Sequence, residues 1–411
     1  MSNMESYLDW RGDIGLEASA FNEVDSLILC QLSYCDFDGI IPAAGEGKPV
    51  PIREAARAYA EKVEKAQELP DAEFAHSLVH LIEHAAACER FRKVQVFGYK
   101  AILDPVQSAQ MAAVSYLLPD GTVYAAYRGT DQSIAGWKED FKLSFLPETE
   151  GQRYACRYLL QIAELEKGRL RTGGHSKGGN FAVYAALKAE EAVQARIEAV
   201  YNHDGPGFVY AIQKSEAYSR LRERIHTTVP RDTIIGALLF HEAEPKVVMS
   251  TAQGLAQHEL LSWEVLGTDF VLAPGRSDLS LFVENVLNKW LSELDSERRE
   301  SFVNELFAFF EATGAASFAE MKKDIPGAAA SVLNVMRRMQ KGQRQEFWDV
   351  LGRLAVSGGE GLARAVQNSL EWLRTQTAGE MEQLLEGKDP SETDSAAAGG
   401  ETKSEKKQDR L

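Results

Sequence analysis

The stretch from residue 94 to residue 250 alternates between strand-like and helix-like patterns. Segments rich in β-branched and aromatic residues, such as TVYAAY and IEAVYN, are separated by helical stretches, for example at 152–166. This alternation predicts a mainly parallel sheet with helices on its faces, because two parallel strands can be joined only by a long crossover segment. MAAVSYLL and TVYAAY differ from this pattern, since a Pro-Asp-Gly turn between them predicts an antiparallel hairpin.

The regions on either side of this stretch are helical in pattern, with apolar residues at spacings of three and four. The final residues are polar, of mixed charge and rich in alanine and glycine, so they cannot bury enough apolar surface to fold. The sequence therefore predicts an N-terminal helical region at 1–92 that packs on an α/β core at 93–275. It also predicts a helical C-terminal domain at 276–387 and a disordered tail at 388–411.

The segment GGHSKGGN, residues 173 to 180, fits the pattern G-x-S-x-G, in which a serine occupies a sharp turn between a strand and a helix. A glycine-rich turn of this kind is also typical of a phosphate site, or of a connection without chemistry. A serine hydroxyl becomes a strong nucleophile only when a histidine takes its proton, and that histidine needs an acid to orient it. A catalytic interpretation of Ser176 therefore requires an acid and a histidine further along the chain.

Suitable residues follow two later strands. Asp232 comes after IHTTVP, and His258 comes after KVVMS, which gives the order Ser176, Asp232, His258 that is typical of an α/β hydrolase. The carboxyl ends of parallel strands meet at one edge of the sheet, so we expect the three side chains to converge there. Asp204 is the alternative acid, although its place before a Gly-Pro-Gly turn is also typical of a local cap. His203 and His241 are the alternative bases.

Acyl transfer also needs hydrogen-bond donors aimed at the negative oxygen of the transition state. The backbone N–H of the residue after the nucleophile is one expected donor, and here that residue is Lys177. The segment TVYAAYRGT predicts the second donor at Thr130, at the end of a strand. This chemistry requires neither a metal nor an organic cofactor.

Two helical stripes have more than one interpretation. His76, His80 and His84 recur every four residues, but they advance about 6 Å at a time along a helix axis, so only neighbouring pairs can share an ion. A partly buried or solvated face is therefore favoured over a metal site. Trp137 shares a helical face with Ile134 in SIAGWKEDF, where fixed packing is favoured over a mobile lid at 131–146.

Composition narrows the class of protein. The 411 residues carry a formal net charge of −16, which disfavours binding to nucleic acid and to anionic membrane surfaces. Four cysteines without a C-x-x-C pair favour a reduced, cytoplasmic compartment. The sequence shows neither a secretory leader pattern at its start nor an apolar run long enough for a transmembrane segment.

The segment AAYRGTDQSIAGWKEDFKLSF resembles the F-R-G-[ST] strand end and lid helix of the class 3 lipases, and GGHSKGGN resembles their G-H-S-x-G-G elbow. This resemblance covers about residues 94–265. It implies an α/β hydrolase fold with Ser176 as nucleophile, Asp232 as acid, His258 as base and Thr130 in the oxyanion hole. Arg128 and Asp140 match framework positions.

YLDWRGD and FNEVDSLILCQLSYCDF, together with HSKGGN and HDGPGF, more closely resemble a bacterial branch of lipase-like proteins related to class 3. Lys177 stands where class 3 lipases commonly have leucine. We therefore expect a serine hydrolase that cleaves a carboxylic ester of a small molecule, favouring a lipid or fatty acyl ester, through an acyl-enzyme on Ser176. A thioesterase, or an inactive hydrolase-fold protein that binds partners, is the alternative.

Overall fold

The computed structural model describes residues 2–311, apart from 70, 132, 210–213, 242–243, 279, 282–283 and 286–294. Residues Met1–Val303 form one compact unit, and Asn304–Leu411 form a second. Most of the predicted C-terminal helical domain and all of the predicted disordered tail lie outside the described residues, so both stay predictions. In the part of the chain that is described, no helix is long and apolar enough to cross a membrane.

The first unit is built on a sheet of eight strands that lie side by side in the order of the sequence. The first four pair antiparallel, and β4 to β8 pair parallel, which confirms the predicted mainly parallel sheet. The predicted hairpin is also confirmed, with Leu117 opposite Val123. The strands are β1 Val50–Pro51, β2 Gln95–Asp104, β3 Ala109–Leu117, β4 Thr122–Arg128, β5 Arg169–His175, β6 Ile197–His203, β7 Ile225–Pro230 and β8 Lys246–Val248. A separate two-stranded ribbon joins β9 Val265–Leu266 to β10 Asp269–Phe270.

The helices precede, connect and follow these strands. They are α1 Met4–Arg11, α2 Glu23–Leu32, α3 Ile52–Lys65, α4 Ala72–Ala87, α5 Ile134–Lys142, α6 Glu150–Leu165, α7 Lys177–Lys188, α8 Glu191–Gln194, α9 Glu216–Leu221 and α10 Ser296–Glu311. The sequence pattern predicts a helix from 208 to 222, but α9 begins only at Glu216. The prediction is wrong at Phe208, which exchanges two backbone hydrogen bonds with Phe240, of 2.8 and 2.9 Å, and is held in an extended bridge. Residues 210–213 lie outside the described part of the chain.

The sheet separates two apolar cores. Alternate residues of β4 point to opposite faces, as the period of a strand requires. Tyr124 and Ala126 pack with the core that includes α2 and α4, whereas Val123, Ala125 and Tyr127 pack with the core that includes α6 and α7. The N-terminal helices therefore pack on one face of the sheet, together with residues of the segment 260–270.

A buried ion pair ties α2 to the segment before β2. Arg90 Nε donates to Asp25 Oδ1 at 2.6 Å, and both side chains are fully buried. Tyr7 from α1 donates to the same carboxylate at 2.9 Å. This network joins three segments of the N-terminal region through one carboxylate.

Two of the three histidines in the stripe on α4 contact acidic residues of α1. His80 Nδ1 lies 2.9 Å from Glu5 Oε1, and His84 Nε2 lies 3.1 Å from Asp9 Oδ1. His76 Nδ1 lies 2.5 Å from the carbonyl oxygen of Ala72, one turn earlier in the same helix. Two members of the stripe thus serve contacts between helices.

Candidate active site

Ser176 occupies a strained turn between β5 and α7. Its backbone has φ 56° and ψ −134°, a combination that an L-residue adopts only when the surroundings impose it. A Cβ atom on Gly174 would overlap the backbone of Gly178, and one on Gly178 would overlap the backbone of Tyr127 in β4. The glycines of GGHSKGGN are therefore needed so that α7 can cross the ends of β4 and β5 at close range, with the serine at the apex.

The turn is also fixed to the neighbouring strand. The backbone N–H of Ser176 donates to the carbonyl oxygen of His203, the last residue of β6, at 3.0 Å. Residues His175 and His203 pair in the parallel register, so the chain leaves both strands at the same level. Asp204 therefore emerges beside the serine turn.

Asp204 holds His258. The Nδ1 atom of His258 lies 2.7 Å from Asp204 Oδ2, and the aspartate side chain is 1 % exposed. The second oxygen, Oδ1, accepts hydrogen bonds from the Thr233 hydroxyl and, at 3.2 Å, from the Gly236 N–H. Buried carboxylates are stable when their oxygens are fully hydrogen-bonded, so this residue is held as a fixed acceptor for the imidazole N–H.

Asp232, which the sequence analysis favours as the acid, lies in a different hydrogen-bond network. Its Oδ2 accepts from the Gln257 side chain at 2.8 Å and from the Gly254 N–H at 3.1 Å. Its own N–H donates to Gln257 Oε1 at 2.8 Å. The acid beside His258 is therefore corrected from Asp232 to Asp204, because Asp232 is engaged in holding the short 3-10 helix Gly254–His258 that carries the histidine.

The two aspartates occupy similar positions in the strand pattern of the sequence. Asp204 and Asp232 both follow strands of the parallel region, so both reach the same edge of the sheet. One signal favours Asp204: it directly follows β6, the first strand after α7, and β6 is an immediate neighbour of β5. His203, the residue before it, is buried and pairs with Ser26 Oγ at 2.9 Å on the other face of the sheet.

His175 contacts both the backbone and the ring of His258. Its Nε2 donates to the carbonyl oxygen of His258 at 2.9 Å, and the two rings lie 4.4 Å apart between centroids. The Tyr34 hydroxyl donates to His175 Nδ1 at 2.8 Å, so the tautomer with the proton on Nε2 is the one that satisfies both contacts. Burial, with His258 and His203 nearby, holds the pKa of His175 well below its usual value, so the ring stays neutral.

Thr130 lies where β4 reaches the serine turn. A Cβ atom on the preceding residue, Gly129, would come within 2.9 Å of Ser176 Cβ, which shows how closely the strand end approaches the serine. The Thr130 hydroxyl donates to Asp140 Oδ2 at 2.6 Å. Burial raises the pKa of Asp140 to about 6, while Lys177 and the Thr130 hydroxyl act in the opposite direction.

The side chain of Lys177 points into the protein. Its Nζ lies 3.2 Å from Glu139 Oε2 and 3.7 Å from Asp140 Oδ1, both on α5. The lysine and Glu139 side chains are 1 % and 0 % exposed. The residue that follows Ser176 therefore forms a buried ion pair with α5.

Trp137 does not pack in the core. It is 40 % exposed, whereas Ile134 and Glu139 of the same helix are buried. The expected fixed packing of Trp137 in the core is therefore wrong. The apolar stripe in the sequence does not show that the buried side chain of Glu139 holds the inner side of α5 in place.

These features define a protein class. A mostly parallel sheet in sequential order, with a serine at a strained strand-to-helix turn and an aspartate–histidine pair at the adjacent strand ends, is typical of an α/β hydrolase fold. The chain belongs to the Mbeg1-like family, whose model matches residues 85–308.

Two solved structures are similar to part of the chain. M37 lipase is 15% identical with a TM-score of 0.31, and the match covers 51% of this chain and 68% of that one. A complex of Rhizomucor miehei lipase with its propeptide is 16% identical with a TM-score of 0.28, covering 44% and 70%. No curated protein matches the chain.

Proposed function

We propose that this protein is a serine hydrolase that cleaves carboxylic esters, of lipid or fatty acyl compounds, through an acyl-enzyme on Ser176. The observation that carries the proposal is the 2.7 Å contact between His258 Nδ1 and Asp204 Oδ2, at the strand end next to the strained serine turn. This contact leaves Nε2 of His258 as the ring nitrogen that can take a proton from the serine hydroxyl.

In the proposed reaction, Ser176 Oγ attacks the ester carbonyl carbon while His258 Nε2 takes the hydroxyl proton. Asp204 stabilises the imidazolium that forms and keeps the ring oriented. The carbonyl oxygen becomes negative, and the backbone N–H groups of Lys177 and Thr130 are the proposed donors to it. His258 then gives its proton to the departing alcohol, which leaves the acyl group on the serine.

Deacylation repeats these steps with water. His258 removes a proton from the water molecule, the hydroxide attacks the acyl carbon, and the carboxylic acid leaves as the proton returns to Ser176 Oγ. The neutral ring of His175, hydrogen-bonded to the backbone of His258, is the proposed positioning group for the base. Asp232, which accepts a hydrogen bond from the Gln257 side chain, is a second proposed positioning group for the same base.

The resemblance to class 3 lipases supports the same proposal. The Thr130–Asp140 contact follows the strand end that carries the resemblance, and the serine turn carries the second motif. The four cysteines are free thiols, which supports action in a reduced, cytoplasmic compartment.

Active-site labelling tests the proposal directly. We expect a fluorophosphonate probe to label the wild-type protein and p-nitrophenyl butyrate to be hydrolysed, with both signals lost in Ser176→Ala. Ser133→Ala, which alters the cap of α5 rather than the serine turn, is the matched control and keeps the label. A wild-type protein that neither takes the probe nor cleaves the ester would instead support an inactive hydrolase-fold protein, and labelling that persists in Ser176→Ala would assign another nucleophile.

A further inference from the structure

The helix α5 follows the oxyanion strand end directly, at the position from which a lid would open. Its inner side is fixed by the ion pair between Glu139 and Lys177, at 3.2 Å. Lys177 Nζ also donates to the carbonyl oxygen of Gly136 at 3.3 Å and lies 5.7 Å from the ring centre of Phe181. Because Lys177 immediately follows Ser176, the ion pair connects α5 to the serine turn itself.

Glu139 joins two further elements to the same point. Its Oε2 accepts the N–H of Gln110 in β3 at 2.8 Å, and its Oε1 accepts the N–H of Gly151 in α6 at 2.6 Å. A Cβ atom on Gly151 would overlap the Glu139 carboxylate, so the glycine is what allows α6 to approach it. One buried carboxylate thus fixes α5 to the sheet, to α6 and to α7.

Moving α5 away from the serine turn would break these contacts together. Lys177 and Glu139 would be left as separated charges in a dry interior, and two backbone N–H groups would lose their acceptor. Each of these changes is unfavourable, because buried charges and buried donors are stable only when they are paired. A leucine at position 177 has no charge, so it would not oppose the movement of α5 in this way.

We propose that the Lys177–Glu139 pair locks α5 as a fixed wall of the catalytic site, so that the site takes acyl esters that enter as single molecules dissolved in water. The inference rests on the proposed hydrolase function. It narrows the substrate class to water-soluble, short-chain acyl esters, and it excludes lipid that is presented only at a lipid–water surface. It also makes Lys177 a positioning residue, since the lock holds the same residue whose N–H is proposed to face the oxyanion.

Two measurements test the lock. The first is the initial rate of tributyrin hydrolysis across its solubility limit, and the second is hydrogen exchange of the amides in α5 with and without phosphatidylcholine vesicles. We expect the wild-type rate to saturate below the solubility limit without a jump above it, and the exchange of α5 to be the same with vesicles. A rate that rises severalfold when droplets form, or exchange in α5 that accelerates on vesicles, would overturn the proposal.

Three variants give the matched comparison. Glu139→Gln keeps the acceptor for one N–H but removes the charge, and Lys177→Met removes the cation. Lys142→Met removes a half-buried lysine of the same helix whose Nζ donates to the carbonyl oxygen of Gln107, outside the ion pair. We expect the first two to accelerate exchange in α5 at least tenfold and to create a rate jump at the solubility limit, while the third behaves as wild type. Unchanged exchange in both lock variants would contradict the proposal.

The outcomes separate this inference from the proposed function. Hydrogen exchange reports on the lock even in a protein without esterase activity. A protein that takes no fluorophosphonate label but protects α5 would overturn the hydrolase proposal and leave the lock in place. A labelled, active protein with a mobile α5 would overturn the lock and leave the hydrolase proposal in place.

Discussion

At the scale of single residues, two aspartates hold His258 in place. Asp204 contacts the imidazole, and Asp232 holds the backbone segment that carries it. Their chemical roles therefore differ although both lie near His258, and substitution to asparagine separates the two roles.

For Asp204→Asn we expect kcat on p-nitrophenyl butyrate to fall by about 10⁴-fold, because an asparagine can hold the wrong tautomer and cannot stabilise the imidazolium. For Asp232→Asn we expect a much smaller loss of activity, together with a lower melting temperature of the folded protein. Steady-state kinetics and thermal unfolding of both variants check this prediction. A larger kinetic loss for Asp232→Asn would restore that residue as the acid.

The contact of His175 with His258 gives a second prediction. His175→Gln removes the ring that lies against His258 and changes the donor to its carbonyl oxygen. We expect kcat to fall by up to about 100-fold, since a misplaced catalytic group costs a factor of that order, while KM stays within about threefold. Tyr34→Phe, which removes only the hydrogen bond to Nδ1, should show a smaller loss of kcat. Equal loss of kcat and rise of KM in His175→Gln would point to a distorted cleft instead.

At the scale of elements, buried polar anchors act beside apolar packing to hold two helices in place. Glu139 anchors α5, and Asp25 anchors α2 through Arg90. In each case one carboxylate accepts hydrogen bonds from two or more segments, so the helix is held in place through a buried polar group.

The Arg90–Asp25 pair predicts a characteristic pattern of stabilities. Arg90→Leu should lower the free energy of unfolding by about 3–5 kcal/mol, because it leaves a buried carboxylate without its partner. Arg90→Leu combined with Asp25→Leu should be less destabilised than the single variant, because no unpaired charge remains. Urea unfolding at pH 7 measures both values. A double variant that loses as much as the sum of the two single variants would show no coupling between Arg90 and Asp25 and would contradict the prediction.

The exposed tryptophan of α5 provides a test at the same scale. Since Trp137 is 40 % exposed, Trp137→Ala should change the free energy of unfolding by no more than about 1 kcal/mol, as surface substitutions do. Thermal unfolding checks this, with Ile134→Ala as the buried comparison on the same helix. A loss of about 3–5 kcal/mol for Trp137→Ala, the amount for a buried tryptophan, would contradict the packing described here.

At the scale of the whole molecule, buried histidines couple stability to pH. Burial lowers the pKa of His203 from 6.5 to about 3, and His175 shifts in the same direction. Both rings are neutral in the folded protein, whereas the unfolded chain binds protons below about pH 6.5. Their contribution to the free energy of unfolding is therefore present above pH 6.5 and is lost as the pH falls towards 3.

Asp140 acts with the opposite sign. Its pKa is raised from 3.8 to about 6, so the folded protein binds this proton more tightly than the unfolded chain. Its contribution to stability is present below pH 3.8 and is lost as the pH rises through 6. It therefore offsets part of the loss caused by the histidines during acidification.

We expect the melting temperature of the wild-type protein to fall between pH 6.5 and pH 4, and His203→Gln to flatten this dependence. Glutamine keeps a polar partner for Ser26 and cannot titrate, so the variant separates titration from packing. Asp140→Asn should steepen the dependence. Calorimetric scans at half-unit steps of pH measure all three curves, and parallel curves for wild type and His203→Gln would show that His203 does not titrate on unfolding.

The sequence by itself determined those features that depend on local pattern. Alternating strand and helix signals predicted the parallel sheet, and the Pro-Asp-Gly turn predicted the hairpin of β3 and β4. The glycines around Ser176 indicated a tight turn, and the structure shows each of the two inner ones against backbone. Such features can be read from sequence because they follow from steric limits within a few neighbouring residues.

Only the tertiary structure decided which side chains meet. Asp204 and Asp232 follow parallel strands and reach the same edge, so the strand pattern does not show which carboxylate contacts His258. The choice depends on how the segment Gly254–His258 folds back, and the bonds from Gln257 and Gly254 to Asp232 determine that. The exposure of Trp137 likewise depends on the contact of Glu139 with Lys177, 38 residues away in the chain, because a buried charge is stable only beside its partner.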